Sequence, residues 1–316
     1  MTPVEQERFR NANHIFGGFV YPSPIVSIVN SENEVYLKRD DMLQLGCSKQ
    51  RSLPLMIYSH LQKGETKFCV SSSGNAALVS AFCAMQASSI ESMFIYLSSG
   101  ISDSKLQKFV DYLDIDCDVQ DLREEIFIID NLKIQLVEDP RQEAFNQSKL
   151  GYVNLRGSTD DSALTGFASI TDELVEQLGS DIDAVFVPAS SGTTAQGIYQ
   201  GFLNYGLKPQ IHVVQTSKVK TLIKNLATQN QGVVELDHPS ESIVDIIGHR
   251  KKQIQEIISD SMGYGWIIGS QEVAEAKAEL EGYGIYTSFD SALAYAAYLK
   301  ACAIESFKKP VLLLTG

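Results

Sequence analysis

The sequence of 316 residues lacks the features that mark membrane and secreted proteins. No apolar run approaches the roughly 18 residues that a membrane-spanning helix needs. The polar and charged segment at residues 1–16 contains no apolar core of signal-peptide length. We therefore expect a protein that has no membrane partner and that works in the cytoplasm.

Positive charge is also scarce. The chain has 26 Lys and Arg residues against 39 Asp and Glu residues, which gives a formal net charge of −13. Because nucleic acids and anionic membranes are bound largely through Lys and Arg, this balance argues against both partners. We interpret the acidic surface as a solubility charge. Binding of an anionic substrate would need a local site of positive potential, such as the backbone N–H groups at the start of a helix.

Cysteine and histidine are present without any regular spacing. The chain has five cysteines, none of which form a C-x-x-C pair, and five scattered histidines without an H-E-x-x-H pattern. Disulfide frameworks and zinc sites depend on such spacings. The cysteine pattern therefore argues against a disulfide framework and indicates a reducing compartment. No metal is expected.

Short apolar runs alternate with longer helical patterns, which is typical of an α/β fold. The patterns predict strands at residues 35–38, 67–70, 93–97, 183–187, 211–214 and 310–314, and helices at 52–63, 76–87, 168–178 and 195–204. Strand, turn, helix and strand follow one another over residues 67–97. The strands of this unit are therefore expected to be parallel. Residues 111–151 show no clear pattern.

Two polar segments in the first half of the chain lie where predicted strands and helices meet. Lys49 lies between a strand and a helix, where partial desolvation would favour a nucleophilic amine. Taken alone, it is better interpreted as a solvated surface lysine, since most lysines are of that kind. The loop Ser71–Asn75 ends a strand and opens a helix. Such a loop can bind a carboxylate through N–H and hydroxyl groups, or it can simply cap the helix.

Two further segments lie in the second half. The turn Pro188–Thr194 joins a strand to a helix, and its Gly192 permits close approach of the backbone. A helix N-terminus with several hydroxyls suits a phosphate, although a well-capped turn needs no ligand. Thr315 follows the last apolar strand. Ligands of open α/β sheets bind beyond the carboxyl ends of strands, but a chain terminus there is also common.

The order of these segments resembles that of the tryptophan-synthase-β-like, or fold type II, pyridoxal-phosphate enzymes. The resemblance covers most of the chain and includes Ser23–Ile25, Tyr36–Asp41, Cys47–Arg51, Ser72–Asn75 and Gly166–Glu173. It implies a two-domain α/β fold with parallel-type sheets, helices on both faces of the sheets and the cofactor in the interdomain cleft. The implied large domain comprises residues 1–45 and 151–316, and the smaller inserted domain comprises residues 46–150.

The resemblance also implies roles for individual residues. Lys49 would carry pyridoxal 5'-phosphate as an imine and would then act as general base at the substrate α-carbon. Asn75 would hydrogen-bond the ring hydroxyl of the cofactor, and Thr315 would face its pyridine nitrogen. The substrate carboxylate would be bound by Ser72, Ser73 and Ala76, and the cofactor phosphate by Ser190, Ser191, Gly192, Thr193 and Thr194.

Three hypotheses about the reaction remain open. A neutral hydroxyl at the pyridine nitrogen suits elimination or replacement better than transamination. The loop Asn75–Ala77, the region of the phosphate turn and the Leu-Leu-Leu-Thr-Gly ending are similar to threonine synthases. We therefore expect a threonine-synthase-like lyase that acts on a small amino acid, as a homodimer. The chain length is closer to serine/threonine dehydratases and cysteine synthases. A catalytically silent relative is the third hypothesis, since Ser48 and Ala76 depart from the usual pattern.

Overall fold

The structure, a computed structural model, describes residues 1–19, 21–30, 33–72, 74–114, 117–123, 126–223 and 237–316. The chain divides into two compact units. Unit 1 comprises Met1–Thr2, Val20–Ser48 and Phe167–Gly316, and unit 2 comprises Pro3–Phe19 and Lys49–Gly166. The two-domain α/β fold expected from the sequence is confirmed. The domain bounds given above stay a prediction, and they differ from these units at residues 3–19, 46–48 and 151–166.

Helices and strands alternate through both units. The helices are α1 (Pro3–Ile15), α2 (Lys49–Leu61), α3 (Asn75–Gln86), α4 (Asp103–Leu113), α5 (Pro140–Ser148), α6 (Ser162–Leu178), α7 (Thr193–Asn204), α8 (Lys251–Asp260), α9 (Ser270–Gly282) and α10 (Phe289–Cys302). The strands are β1 (Ile25–Asn30), β2 (Asn33–Arg39), β3 (Lys67–Ser72), β4 (Ser92–Ser98), β5 (Phe127–Ile129), β6 (Leu132–Val137), β7 (Val153–Asn154), β8 (Ala184–Pro188), β9 (Gln210–Thr216), β10 (Gly265–Ile268) and β11 (Pro310–Leu314). Within the described part of the chain, no helix combines the length and apolarity needed to cross a membrane.

Unit 1 contains a six-stranded sheet with the order β1-β2-β11-β8-β9-β10. Strands β2, β11, β8, β9 and β10 are parallel, while β1 at the edge is antiparallel to β2. Alternate residues of a strand face opposite sides of a sheet. Val185 and Val187 pack with α6, α7 and α8, whereas Ala184 and Phe186 pack with α9 and α10. Helices therefore cover both faces, as predicted.

Unit 2 contains a five-stranded sheet with the order β5-β6-β4-β3-β7. Strands β6, β4, β3 and β7 are parallel, and β5 is antiparallel to β6. The predicted parallel unit of β3, α3 and β4 is confirmed. The segment that showed no clear sequence pattern supplies the hairpin of β5 and β6 and the whole of α5.

Both sheets contain a point at which the order of the strands reverses. In unit 1 the chain proceeds from β8 to β9 and β10, and β11 then returns to the other side of β8. In unit 2 it proceeds from β3 to β4 and β6, and β7 then returns to the other side of β3. Ligands of open α/β sheets bind beyond the carboxyl ends of the strands at such points. The topology therefore marks the ends of β8 and β11 in unit 1, and of β3 and β7 in unit 2.

All four predicted helices begin earlier than the sequence pattern predicts. Helix α3 begins at Asn75, one residue before the predicted start. Helix α2 begins at Lys49 rather than Ser52, and Pro54 lies in its second turn instead of near its start. Helix α6 begins at Ser162 rather than Ala168, since Asp160 accepts hydrogen bonds from the backbone N–H and hydroxyl of Ser162. Helix α7 begins at Thr193 rather than Ala195. These shifts place Lys49, Thr193 and Thr194 within helices instead of the preceding loops.

Candidate active site

Lys49 is the first residue of helix α2 and is partly buried. The helix dipole gives a helix N-terminus a positive potential, so Lys49 lies in a region of positive potential at the start of α2. The helix is anchored, since the eight residues that follow Lys49 are all buried. Helix α6 approaches its first turn at Gly166, where a Cβ atom would lie 2.3 Å from the carbonyl oxygen of Arg51. Only glycine permits this approach, so Gly166 helps to fix the start of α2.

Ser48, the residue before Lys49, is bound to the end of strand β11. Its backbone N–H donates to the carbonyl oxygen of Thr315 over 2.9 Å. Gly316 has a φ of 84°. A Cβ atom there would lie 1.9 Å from the carbonyl oxygen of Gly46. The Thr315–Gly316 backbone and the segment that leads to Lys49 therefore lie in close contact within unit 1.

The turn between β8 and α7 has the geometry of an anion site. Gly192 has a φ of 85°. A Cβ atom on Gly192 would lie 2.5 Å from Cγ1 of Ile254. The first N–H groups of a helix have no acceptors within the helix, and the dipole gives them a positive potential. The hydroxyls of Ser191 and Thr193 lie 2.9 Å apart beside these groups. Backbone and hydroxyl donors thus converge, as a phosphate requires.

A buried side-chain amide fixes the turn between β8 and α7. Gln215, with no exposed surface, donates from Nε2 to the carbonyl oxygen of Ala189 over 3.0 Å. Its Oε1 atom accepts the N–H of Leu222 over 2.9 Å. Both ends of the amide are therefore engaged, which fixes the first residue of the turn to strand β9. Sequence reasoning did not identify this role of Gln215.

Ser190 has a different contact from the one expected. Its hydroxyl oxygen accepts the N–H groups of Val244 and Asp245, over 3.0 Å and 3.1 Å. A hydroxyl has two acceptor positions and one proton. With both acceptor positions occupied, Ser190 retains its proton for a phosphate oxygen and also holds the segment at residues 242–248. Its phosphate-binding role stays a prediction.

The Ser71–Asn75 loop lies at the end of β3 and the start of α3, as expected. Gly74 has a φ of 148°, a conformation that side-chain-bearing residues rarely adopt. Its N–H donates to the hydroxyl of Ser72 over 3.1 Å. Asn75 begins the helix, and Ala76 follows, both partly buried. Ser73 lies outside the described residues.

Asn154 is a candidate that sequence reasoning missed. It ends the two-residue strand β7 and pairs with Cys69 of β3, so it lies at the switch point of unit 2. Its Oδ1 atom is buried and has no hydrogen-bond partner among the described residues. A buried unsatisfied acceptor is costly and commonly marks a functional position. A strand of two residues leaves no periodic pattern in a sequence, and the switch point is visible only once the strand order is known.

Within each unit, the predicted residues collect at the switch point. In unit 1, Thr315 and the turn at residues 189–192 follow the neighbouring strands β11 and β8. In unit 2, Ser72 and Asn154 end the neighbouring strands β3 and β7, and Asn75 opens the next helix. Lys49 begins a helix in unit 2 and is preceded by the residue bound to Thr315. Unit 1 thus contributes an anion-type turn and Thr315, and unit 2 contributes a lysine at a helix start.

The chain belongs to the family described as "Pyridoxal-phosphate dependent enzyme", which matches residues 18–316. Its cofactor is pyridoxal 5'-phosphate. A comparison with curated proteins gives no match.

Solved structures support the fold. A pyridoxal 5'-phosphate-dependent aspartate racemase is 17% identical, with a TM-score of 0.74 and coverage of 98% of this chain and 94% of that chain. Maize serine racemase is 16% identical, with a TM-score of 0.74 and coverage of 98% and 92%. A fungal L-serine ammonia-lyase from Rhizomucor miehei is 16% identical, with a TM-score of 0.70 and coverage of 94% of both chains. At these identities the likeness establishes the fold alone.

The described residues fit this cofactor. Its phosphate needs convergent donors, which the first N–H groups of α7 and the hydroxyls of Ser191 and Thr193 provide. Its aldehyde needs a primary amine that is not strongly solvated, and Lys49 is partly buried at a helix start. Thr315 places a neutral hydroxyl-bearing residue beyond the strand that neighbours β8. When bound, the cofactor supplies an electron sink for carbanion chemistry at the substrate α-carbon.

Proposed function

We propose that this protein is a pyridoxal-phosphate-dependent lyase that eliminates or replaces a group at the β- or γ-carbon of a small amino acid. One observation carries the proposal. The residue before Lys49 is hydrogen-bonded to the carbonyl of Thr315, and Thr315 lies beside the phosphate-type turn at the switch point of unit 1. Family membership supports the cofactor, and these contacts support Lys49 as the residue that binds it.

Each part of the site has a role in this proposal. Lys49 would hold the cofactor through its amine, and the same amine, when free, would take the α-proton of the substrate as general base. The start of α7 binds the phosphate through Ser190–Thr194. The loop at residues 72–76 binds the substrate carboxylate and, through Asn75, the cofactor hydroxyl. Thr315 contacts the pyridine nitrogen with a neutral group. This does not enforce a protonated ring and so favours elimination over transamination.

Two finer assignments follow from different observations. The Asn75–Ala77 loop and the Leu-Leu-Leu-Thr-Gly ending support a threonine-synthase-like reaction with a leaving group at the γ-carbon. The mutual coverage of 94% with a fungal L-serine ammonia-lyase supports β-elimination from a hydroxy amino acid. We place the threonine-synthase-like reaction first and the serine/threonine dehydratase or cysteine-synthase-like reaction second.

An amino-acid screen tests this proposal. The protein reconstituted with pyridoxal phosphate is incubated with L-serine, L-threonine, O-acetylserine and phosphohomoserine, while keto acid, acetate and phosphate release are measured. The proposal expects turnover of at least one compound and changes in the absorbance of the bound cofactor. Lys49→Ala should abolish turnover, whereas the control Lys67→Ala, at an exposed ion pair with Glu91, should retain it.

Two outcomes would contradict the proposal. Inversion of serine or aspartate without any elimination product would instead indicate a racemase. A cofactor-loaded protein that leaves all amino acids unchanged would support the catalytically silent relative.

We also propose that the protein is a cytoplasmic homodimer. The family resemblance supports the dimer. Light scattering coupled to size exclusion should then give about twice the monomer mass of 34.8 kDa. A single species at the monomer mass would overturn the dimer.

A further inference from the structure

The start of helix α10 makes contacts that the sequence did not predict. Ser288 caps the helix, since its hydroxyl oxygen accepts the N–H of Ser291 over 3.1 Å. The hydroxyls of Ser288 and Ser291 are also hydrogen-bonded, over 3.2 Å. Asp290 and Ser291 are 7% and 0% exposed. The first turn of α10 is therefore buried and held by its own hydrogen bonds.

Ser291 reaches the end of strand β11. Its hydroxyl oxygen accepts the N–H of Gly316 over 3.0 Å. The preceding residue, Thr315, accepts the N–H of Ser48 through its carbonyl oxygen. Two hydrogen bonds thus connect Ser291, through Thr315, to the residue before Lys49.

Asp290 reaches the phosphate turn by a second path. Both of its carboxylate oxygens lie 3.2 Å from the N–H of Ser242. Two residues later, the N–H groups of Val244 and Asp245 donate to the hydroxyl of Ser190. Asp245 in turn accepts the N–H groups of Ile247 and Gly248. The backbone of the segment at residues 242–248 is therefore fixed between α10 and the turn that precedes α7.

We propose that Asp290 and Ser291 are a pair of positioning residues for the cofactor site. From the same turn of α10, they hold Thr315 and the turn at Ser190 in fixed positions relative to each other. This inference rests on the proposed function. The two residues are adjacent in the chain, and each fixes a different part of the predicted site. Neither is expected to touch the cofactor or the substrate. Loss of either contact should loosen cofactor binding, because a partly buried N–H would lose its acceptor and the corresponding loop would shift.

The test measures the affinity of the purified protein for pyridoxal phosphate, by absorbance titration of the cofactor-free form. Ser291→Ala and Asp290→Ala should each weaken binding by about tenfold. They should also move the pH midpoint at which the bound cofactor changes its absorbance. Asp290→Asn keeps one acceptor oxygen for Ser242 and should recover an affinity close to that of the wild type.

Asp139→Ala is the control, because it removes the side-chain cap of another helix, α5, where Asp139 accepts the N–H groups of Arg141 and Gln142. It should lower the melting temperature of the cofactor-free protein and leave the pyridoxal-phosphate affinity within about twofold of wild type. The proposal is overturned if Ser291→Ala and Asp290→Ala behave like this control. If one of the two alanine variants does not fold, the other variant and Asp290→Asn decide whether the proposal holds. A wild-type protein that binds no pyridoxal phosphate would instead refute the proposed function itself.

Discussion

At the scale of single residues, Gly192 is required by both its backbone and its surroundings. Its φ is 85°, and a Cβ atom would meet Ile254 at 2.5 Å. Gly192→Ala should cost roughly 2 kcal/mol or more, because left-handed strain and steric overlap add. It should also weaken pyridoxal-phosphate binding, since the turn must move. Thermal unfolding and cofactor titration measure the two effects.

Gly206, at the other end of α7, provides the control for this prediction. It has a φ of 69°, but nothing lies within 4 Å of an added Cβ atom. Gly206→Ala should therefore lose stability through strain alone and bind the cofactor as tightly as wild type. Equal cofactor affinities for Gly192→Ala and Gly206→Ala would refute the role of the turn.

His212 makes stability depend on pH through a single buried ring. It is fully buried and stacks on Phe186, with 4.2 Å between the two ring centroids. Its Nδ1 atom accepts the indole N–H of Trp266 over 3.0 Å, so the neutral ring carries its proton on Nε2. Burial lowers the pKa of His212 from 6.5 to about 3. As the pH falls below about 6.5, His212 of the unfolded chain therefore takes up a proton, whereas His212 of the folded chain stays neutral until about pH 3.

The sign of the effect follows from this difference. The contribution of His212 is fully present above about pH 6.5 and is lost as the pH falls towards 3, with a limiting slope of about 1.4 kcal/mol per pH unit. Chemical denaturation at several pH values should show a smaller loss on acidification for His212→Gln than for wild type. His14→Gln, at an exposed position, serves as control. Parallel pH profiles for wild type and His212→Gln would contradict this account.

At the scale of helices and strands, Gly166 tests whether the start of α2 is fixed by α6. A Cβ atom at this position would overlap the backbone of Arg51 and Ser52, at 2.3 Å and 2.7 Å. Gly166→Ala should therefore displace the first turn of α2 and cost about 1–3 kcal/mol. The reaction of Lys49 with pyridoxal phosphate, followed by absorbance, should slow.

Gly282 is the matched helical control, since nothing lies within 4 Å of its added Cβ atom. Gly282→Ala should leave the Lys49 reaction unchanged and, through helix propensity, add up to about 1 kcal/mol of stability. If the two variants had the same stability and the same reaction rate, the contact between α6 and α2 would not position the lysine.

The elements show why part of this fold is readable from sequence. Strand β11 was predicted with its correct bounds, because an unbroken apolar run lies between Pro310 and Thr315. Helix starts were displaced wherever their caps came from residues outside the periodic pattern, as Asp160 does for α6. Strand β7 was missed because two residues cannot show an alternation.

The candidate site is likewise only partly predictable from the sequence. The loop at residues 71–75, the turn at residues 188–194 and Thr315 carry local signals of small polar residues at strand ends. The contacts of Ser190 with Val244 and of Ser291 with Gly316 join residues that are 54 and 25 positions apart. Such pairs are fixed by packing of the whole sheet and leave no local signal.

At the scale of the whole molecule, two units each provide a switch point that is lined by polar residues. The account depends on one covalent assignment, that Lys49 is the residue that binds pyridoxal phosphate. The chain has 18 lysines, so a lysine without a special environment would compete with many others. Selective labelling of Lys49 is therefore informative.

Borohydride reduction of the protein with bound pyridoxal phosphate, followed by peptide mass spectrometry, tests this claim most directly. The account predicts one phosphopyridoxyl group per chain, on Lys49, and no stoichiometric label in Lys49→Ala. Label on another lysine, or label spread over several exposed lysines, would contradict it.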